Sequence, residues 1–534
     1  MIVLFVAASP LLPQAQEDHS NHTPPPSIPI ELLRRPVALR SGAGSVHEAV
    51  TTGSKEAQSF YDQGLTYLHS YVWIEAARSF YQALRYDSKL ALAYVGLSRA
   101  FSGLGISAAA RAAVEQAATL ETSVGLRGRQ RIALRVRQLD AIADPFNSMK
   151  FADYKKAMDD ALATDPADVE LWLLRGNAEE ANAGGHGLHG GASSIGFYEK
   201  ALKLSPDHLA AHHYLIHSYE NVGRIEEALK HAEAYVRLAP AVPHAHHMYG
   251  HDLRRVGRIE DAIAQFKKAD ELESEYYKTE NIPSEFDWHH EHNIDLLATS
   301  YQYQGQMKLA EELMKRAFSV PSMQDTLEFN KKQWPAFLLL RGRPEEAYKA
   351  SKILISSHWD IVRAIGHVMT SHALLALNRI PEASEEATAA LKEVKGSTSH
   401  ALFVAPYIEA LQGEFLLRKG KLENGRSALI EVERDWRLEK GPDEWVQTLF
   451  ELEGIARMAR EAGDWQLAEY TARQMLEHDP NYAGTHYALA LIAEHGRDSV
   501  TALKEFALAE KYWQQADADL PELVLIKSKL TVIK

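Results

Sequence analysis

The chain has 534 residues, 46% hydrophobic and 24% charged, so it is globular rather than disordered and long enough for several domains or one array of repeats. Its 58 basic and 72 acidic residues leave a net charge of −14, which argues against a nucleic-acid binder. With no cysteine at all, disulfides, thiolate nucleophiles and Cys-held metals are excluded, while 25 histidines stand out, 12 of them between His208 and His292.

Residues 1–16 open on the apolar run MIVLFVAASPLL and read as a signal peptide, although no Lys or Arg precedes the run. Export to the periplasm or the extracellular space is the expectation, with a cytoplasmic location if this segment is not a signal. Residues 17–54 are Pro- and Ser-rich and read as a linker. Asn21-His22-Thr23 matches a glycosylation sequon, an uninformative three-residue match. No later segment is long and apolar enough to span a membrane.

From residue 55 the sequence is periodic. Pro206 and Pro240 lie 34 residues apart, as do Gly223 and Gly257, and Ala228 and Ala262. The segment Phe60 to Asp87 sets Gly64, Tyr67, Ala76, Phe80 and Ala83 at matching offsets. Small residues let two antiparallel helices approach closely, and Gly suits the turn between them. The pattern resembles the tetratricopeptide repeat, a helix–turn–helix unit of that period. Twelve units follow, starting near Gln58, Ala91, Arg135, Val169, Leu209, Pro243, Glu291, Glu328, Ala364, Pro406, Leu449 and Ala483. The expected fold is an all-α, right-handed superhelical solenoid whose units contact only their neighbours. It divides into N-terminal units at 55–168, central His-rich units at 169–318 and C-terminal units at 319–534.

Two insertions break the period and are read as loops. One is the glycine-rich Asn182 to Ser194; the other, Glu273 to His292, adds about 14 residues. They flank the histidine-rich stretch.

The resemblance implies that positions 2, 5 and 9 of each first helix line the concave groove. His213 and His217 hold positions 5 and 9 of the fifth unit. His244, His247 and His251 hold positions 2, 5 and 9 of the sixth, and His292 and Asp295 hold positions 2 and 5 of the seventh. Residues four apart stack about 6 Å apart on one helix face, so neighbouring stripes of imidazole converge. Such a set suits copper, zinc or iron. The H-x3-H spacing carries little alone; its recurrence at the same positions in consecutive units carries more. No H-E-x-x-H pattern is present. The alternatives are recognition of a peptide or acidic ligand, and polar rings that merely fill a tight groove.

His212 and His246, at position 4, face the partner helix and read as core. His208 sits in a connection as ligand or helix-start group, and His231 reads as surface. His186 and His189 in the glycine loop are candidates for a lid, against the commoner reading of solvated loop residues. Tyr219, Glu220, Asp252 and Tyr301 are candidates for hydrogen bonds to the ligands. Arg127, Arg131 and Arg135 stack on one helix face, either a solvated stripe or an anion site. The functional expectation is an interaction scaffold, binding a peptide or partner protein in its groove, with a His-lined metal site at its centre. The alternative is a metal-dependent enzyme or a metal-storage protein on the same solenoid. No catalytic residue is identified.

Overall fold

The computed structural model describes residues 28–438 and 442–531. The apolar run and the sequon lie outside them. Among the described residues the regular structure is entirely helical, and no helix is long and apolar enough to cross a membrane.

Twelve antiparallel helix pairs run from Lys55–His69 with Trp73–Tyr86 to Ala483–His495 with Ser499–Tyr512, and Pro521–Thr531 follows the last pair. Several pairs close over a small–large contact. A Cβ added at Gly64 would lie 2.7 Å from the Phe80 ring; at Gly250 it would lie 2.6 Å from the Phe266 ring. At Gly96 it would lie 2.4 Å from Phe80, so one aromatic ring is pressed between two glycines of adjacent units. Overpacked cores lose about 1–3 kcal/mol. Gly96→Ala is therefore expected to destabilise by that amount, read as a lowered urea midpoint at unchanged slope; an unchanged midpoint would mean that the ring has room to move.

The unit starts differ from the 34-residue count where the first helix is long. That of the third unit begins at Leu126 rather than near Arg135, and that of the tenth at Thr398 rather than near Pro406, which lies inside it. The segment expected as a linker is ordered from residue 28 onward: Leu32, Leu33, Val37 and Val46 are buried. The second insertion is mostly helix rather than loop. Ile259–Glu280 extends the second helix of the sixth unit to 22 residues, and Trp288–Tyr303 starts the seventh.

The units do not contact only their neighbours. His69 of the first unit bonds Tyr214 of the fifth at 2.7 Å and Glu170 of the fourth at 2.7 Å. Arg78 bonds Glu280 at 2.8 Å, and the Tyr276 hydroxyl donates to Glu75 at 2.9 Å. The first six units thus bend back on themselves, with residues 28–54 across the seam, where Ala241 N–H donates to Gly42 at 2.8 Å. A second closure joins the seventh and eighth units to the chain's end, through Tyr303 to Asp479 at 2.8 Å and Arg341 to Glu522 at 2.8 Å. Closure turns a concave groove into an interior.

Candidate metal centre

Three first helices line the interior of the first closed turn: Leu209–Asn221, Pro243–Arg255 and Trp288–Tyr303. Pro243 starts the second of these at a position where the missing N–H costs nothing. Each helix turns a stripe of imidazoles inward. His213 and His247 are fully buried, and His217, His244, His251 and His289 nearly so.

The rings form three triads whose ligand atoms lie within 4.8 Å of one another: His213/His217/His244, His244/His247/His289 and His247/His251/His292. In the first, His213 Nε2 lies 3.1 Å from His217 Nε2 and 2.9 Å from His244 Nε2. Three ring nitrogens in a tetrahedral shell, at bond lengths of about 2.0–2.1 Å, sit about 3.4 Å apart, close to this spacing.

The orientation of the rings is fixed from outside. His213 Nδ1 donates to the His69 carbonyl at 2.6 Å. His247 Nδ1 donates to Asn293 Oδ1 at 3.0 Å, an acceptor because Asn293 gives its own N–H to the Phe266 carbonyl at 2.9 Å. His289 Nδ1 donates to the Glu273 carboxylate, which also lies 3.4 Å from His290 Nδ1. With Nδ1 donating, the neutral form of each ring leaves Nε2 as an unprotonated acceptor turned inward. His247 Nε2, His289 Nε2 and both nitrogens of His251 are buried with no hydrogen-bond partner among the described residues.

Burial holds His213, His217, His244 and His247 neutral. It pushes His213 down to about 3 and His217, His244 and His247 well below the ordinary imidazole range, with neighbouring rings repelling further charge on the last three. Glu273 is lowered to about 2 by His289 despite its burial. Glu220 lies 3.8 Å from His217 and 3.6 Å from His251, between the two outer triads. Burial and the facing Glu220 raise Asp252 well above the carboxylate range.

Six of the seven expected ligands fall in these triads. Asp295 does not; it borders a small recess beside His292 and Lys331. His289 was missed, and with it Glu273 and Asn293. The signal was the His289–His292 run: His289 lies one turn before His292 on the same helix, but the repeat count began after it. His212 and His246 turn toward their partner helices, bonding His231 at 2.9 Å and Gln265 at 2.7 Å, and are only half buried. His208 joins no triad. Tyr219 bonds Glu199 at 3.0 Å, away from the rings.

The glycine loop is tied down rather than loose. Asn221 donates to Leu188 O at 3.1 Å and Gly190 O at 2.9 Å, and the Tyr71 hydroxyl donates to His186 O at 2.8 Å. The exposed His186 ring packs edge-on 5.2 Å from Tyr71, whose own ring lies 4.5 Å from His213. Exposed His189 joins no triad. Tyr71 occupies the turn position that Gly fills in several later units, at φ 57°. A non-glycine residue there costs about 1–2 kcal/mol, which the buried ring offsets by packing. Tyr71→Phe keeps the ring and removes the clasp. Amide exchange of residues 182–191 is expected to quicken by about fivefold with an unchanged far-ultraviolet signal, matching a lost bond of about 1 kcal/mol; unchanged exchange would mean that the other bonds suffice.

No family model matches the sequence, and no curated protein matches it. Among solved structures, yeast Tom70 is similar over 89% of this chain and 96% of its own, at 12% identity and a TM-score of 0.33. YrrB, described as a TPR protein with an unusual peptide-binding site, is similar over 39% of this chain and 97% of its own, at 16% identity and a TM-score of 0.27. The C-terminal part of a TPR repeat-containing protein from Cytophaga hutchinsonii is similar over 56% and 94%, at 15% identity and 0.29. At these scores the likenesses carry no weight beside the chain's own helix pairing and its interlocked small–large contacts. On that ground the chain is an all-α solenoid of tetratricopeptide-type helix pairs.

Proposed function

We propose that the chain is a transition-metal protein whose closed first turn holds two ions, of copper, zinc or iron, in the His213/His217/His244 and His247/His251/His292 triads. His289 stands between the two as a further donor. The observation that carries this reading is the fixed orientation of His213, His247 and His289. Each gives its outer N–H to a carbonyl, amide or carboxylate oxygen and turns its inner lone pair into the interior, the arrangement that ligating imidazoles adopt. Imidazoles that merely filled space would satisfy both nitrogens, since buried unpaired acceptors cost free energy. Two ions rather than three follow from sharing. His244 and His247 each belong to two triads, and one neutral ring offers one lone pair.

Elemental analysis of untagged protein tests the reading. The choice among storage, trafficking and catalysis follows from whether bound metal exchanges and whether it turns over an added oxidant or ester. A partner-binding role is favoured for the second turn, whose interior keeps a recess of about 150 Å³ lined by Phe337, Tyr407, Trp436 and Phe450 with His372 and Glu414. An extended peptide with apolar side chains fits that lining.

A further inference from the structure

A second cavity lies on the far side of the glycine loop from the histidines. It holds about 420 Å³ between the second, third and fourth units, with Trp73 of the first and Tyr214 of the fifth at its edge. Ser102, Ser107 and His186 form its exposed rim. Trp73, Leu139, Tyr154 and Leu174 give it an apolar wall, and Arg99, Arg111 and Arg135 bring three guanidinium groups to the same space.

Two of the three have counter-ions. Arg99 pairs with Glu170 at 2.6 Å, and Arg111 with Asp140 at 2.9 Å. Arg135 has none among the described residues. Its N–H groups reach only neutral acceptors: Ser98 Oγ at 2.9 Å, Ser98 O at 2.7 Å, and the side chains of Ser102 and Gln138. It is 5% exposed. A buried guanidinium without a carboxylate is costly, and nearby Arg99 and Arg111 add repulsion. Burial and those neighbours accordingly lower its affinity for its proton, to a pKa of about 9. Two other arginines at least as buried are paired: Arg131 bonds both Glu48 and Asp168, and Arg78 bonds Glu75 and Glu280.

Three positive charges against two negative leave one uncompensated charge facing an apolar-walled cavity. We propose that this cavity binds a small organic carboxylate, its apolar or aromatic body against Trp73, Leu139 and Tyr154 and its carboxylate beside Arg135 and Arg111. A monoanion balances the charge, and a carboxylate can accept the one N–H that Arg135 does not already give to Ser98, Ser102 and Gln138, with Arg111 beside it. The site is separate from the histidine triads, and the proposal stands whether or not those bind metal.

Benzoate and benzamide, alike in shape and unlike in charge, serve as probes. By titration calorimetry on the full chain, benzoate is expected to bind at least tenfold more tightly than benzamide. Arg135→Met is expected to abolish that preference, and Arg111→Met, at a half-exposed position, to weaken it several-fold while the chain stays folded. Because a carboxylate also ligates metals, the titration is repeated after chelation with EDTA, where the preference is expected to persist. Equal binding of the two probes, a preference retained in both variants, or one that disappears on chelation would each overturn the proposal.

Discussion

Purified without an affinity tag and reconstituted, the chain is expected to carry about two equivalents of transition metal, and the His213→Ala/His247→Ala double variant well under one. Between them these substitutions remove a ligand from every triad, because His247 is shared by two. Loss even of a group that only orients a ligand typically costs 10–100-fold in affinity, and loss of the ligand itself costs more. The fold should survive. Neither ring supplies a helix cap, and the core of these units rests on Tyr214, Tyr235, Met248 and Phe266, which the substitutions leave in place. The expected signature is thus a near-native helical signal with the metal gone. Metal also contributes stability by mass action, about 2.7 kcal/mol per ion at a free concentration of 100 Kd. Chelation should therefore lower the wild-type melting temperature and leave that of the double variant almost unchanged. Wild-type protein that holds no metal after reconstitution, or a variant that unfolds while metal content is unaltered, would return the histidines to a structural role.

The pairing of helices was legible because it depends on local spacing. Gly64 and Phe80 are 16 residues apart, and so are Gly250 and Phe266, and one helix–turn–helix is enough to bring each pair together. The inward stripes of His213/His217 and His247/His251 follow from the same register. Closure was not legible, because it is made by residues far apart in sequence. His69 reaches across to Glu170 and Tyr214, and Arg78 to Glu280, with no periodic signal linking them. Closure also changes what the stripes are for: a groove open to peptides becomes a buried interior in which a neutral imidazole is the stable form. His289 and Glu273 escaped for a related reason. Both lie in the segment that departs from the 34-residue repeat, and the departure reads as a loop when only the period is followed. The structure spends it on lengthening one helix and starting the next early, which brings a carboxylate against a ring.

In metal-free protein the same burial predicts a steep acid transition. A histidine whose folded pKa is depressed binds its proton more readily when unfolded. Its contribution to stability is therefore complete above the unfolded value, about 6.5, and is lost as pH falls toward the folded value. Burial pushes His213 down to about 3 in the folded chain, and burial and the neighbouring rings hold His217, His244 and His247 well below the ordinary imidazole range. Each such group withdraws about 1.4 kcal/mol per pH unit below 6.5, so four withdraw about 8 kcal/mol by pH 5, comparable with the whole stability of a typical domain. Asp252, Glu291, Asp287 and Glu180 work in the opposite sense, since burial raises their folded values and makes them better proton acceptors when folded, so they offset part of this loss. Glu273, held near 2, adds a further loss only below about 4.5. The first turn is expected to open between about pH 6 and pH 4 with uptake of three or more protons. Trp288, packed 5.6 Å from His244, is one tryptophan at the triads whose fluorescence should follow the opening. Bound metal holds the rings deprotonated and should move the transition to lower pH. Retention of the native signal down to pH 4 in chelated protein, with several protons taken up, would show that the rings reach solvent and titrate in the folded chain.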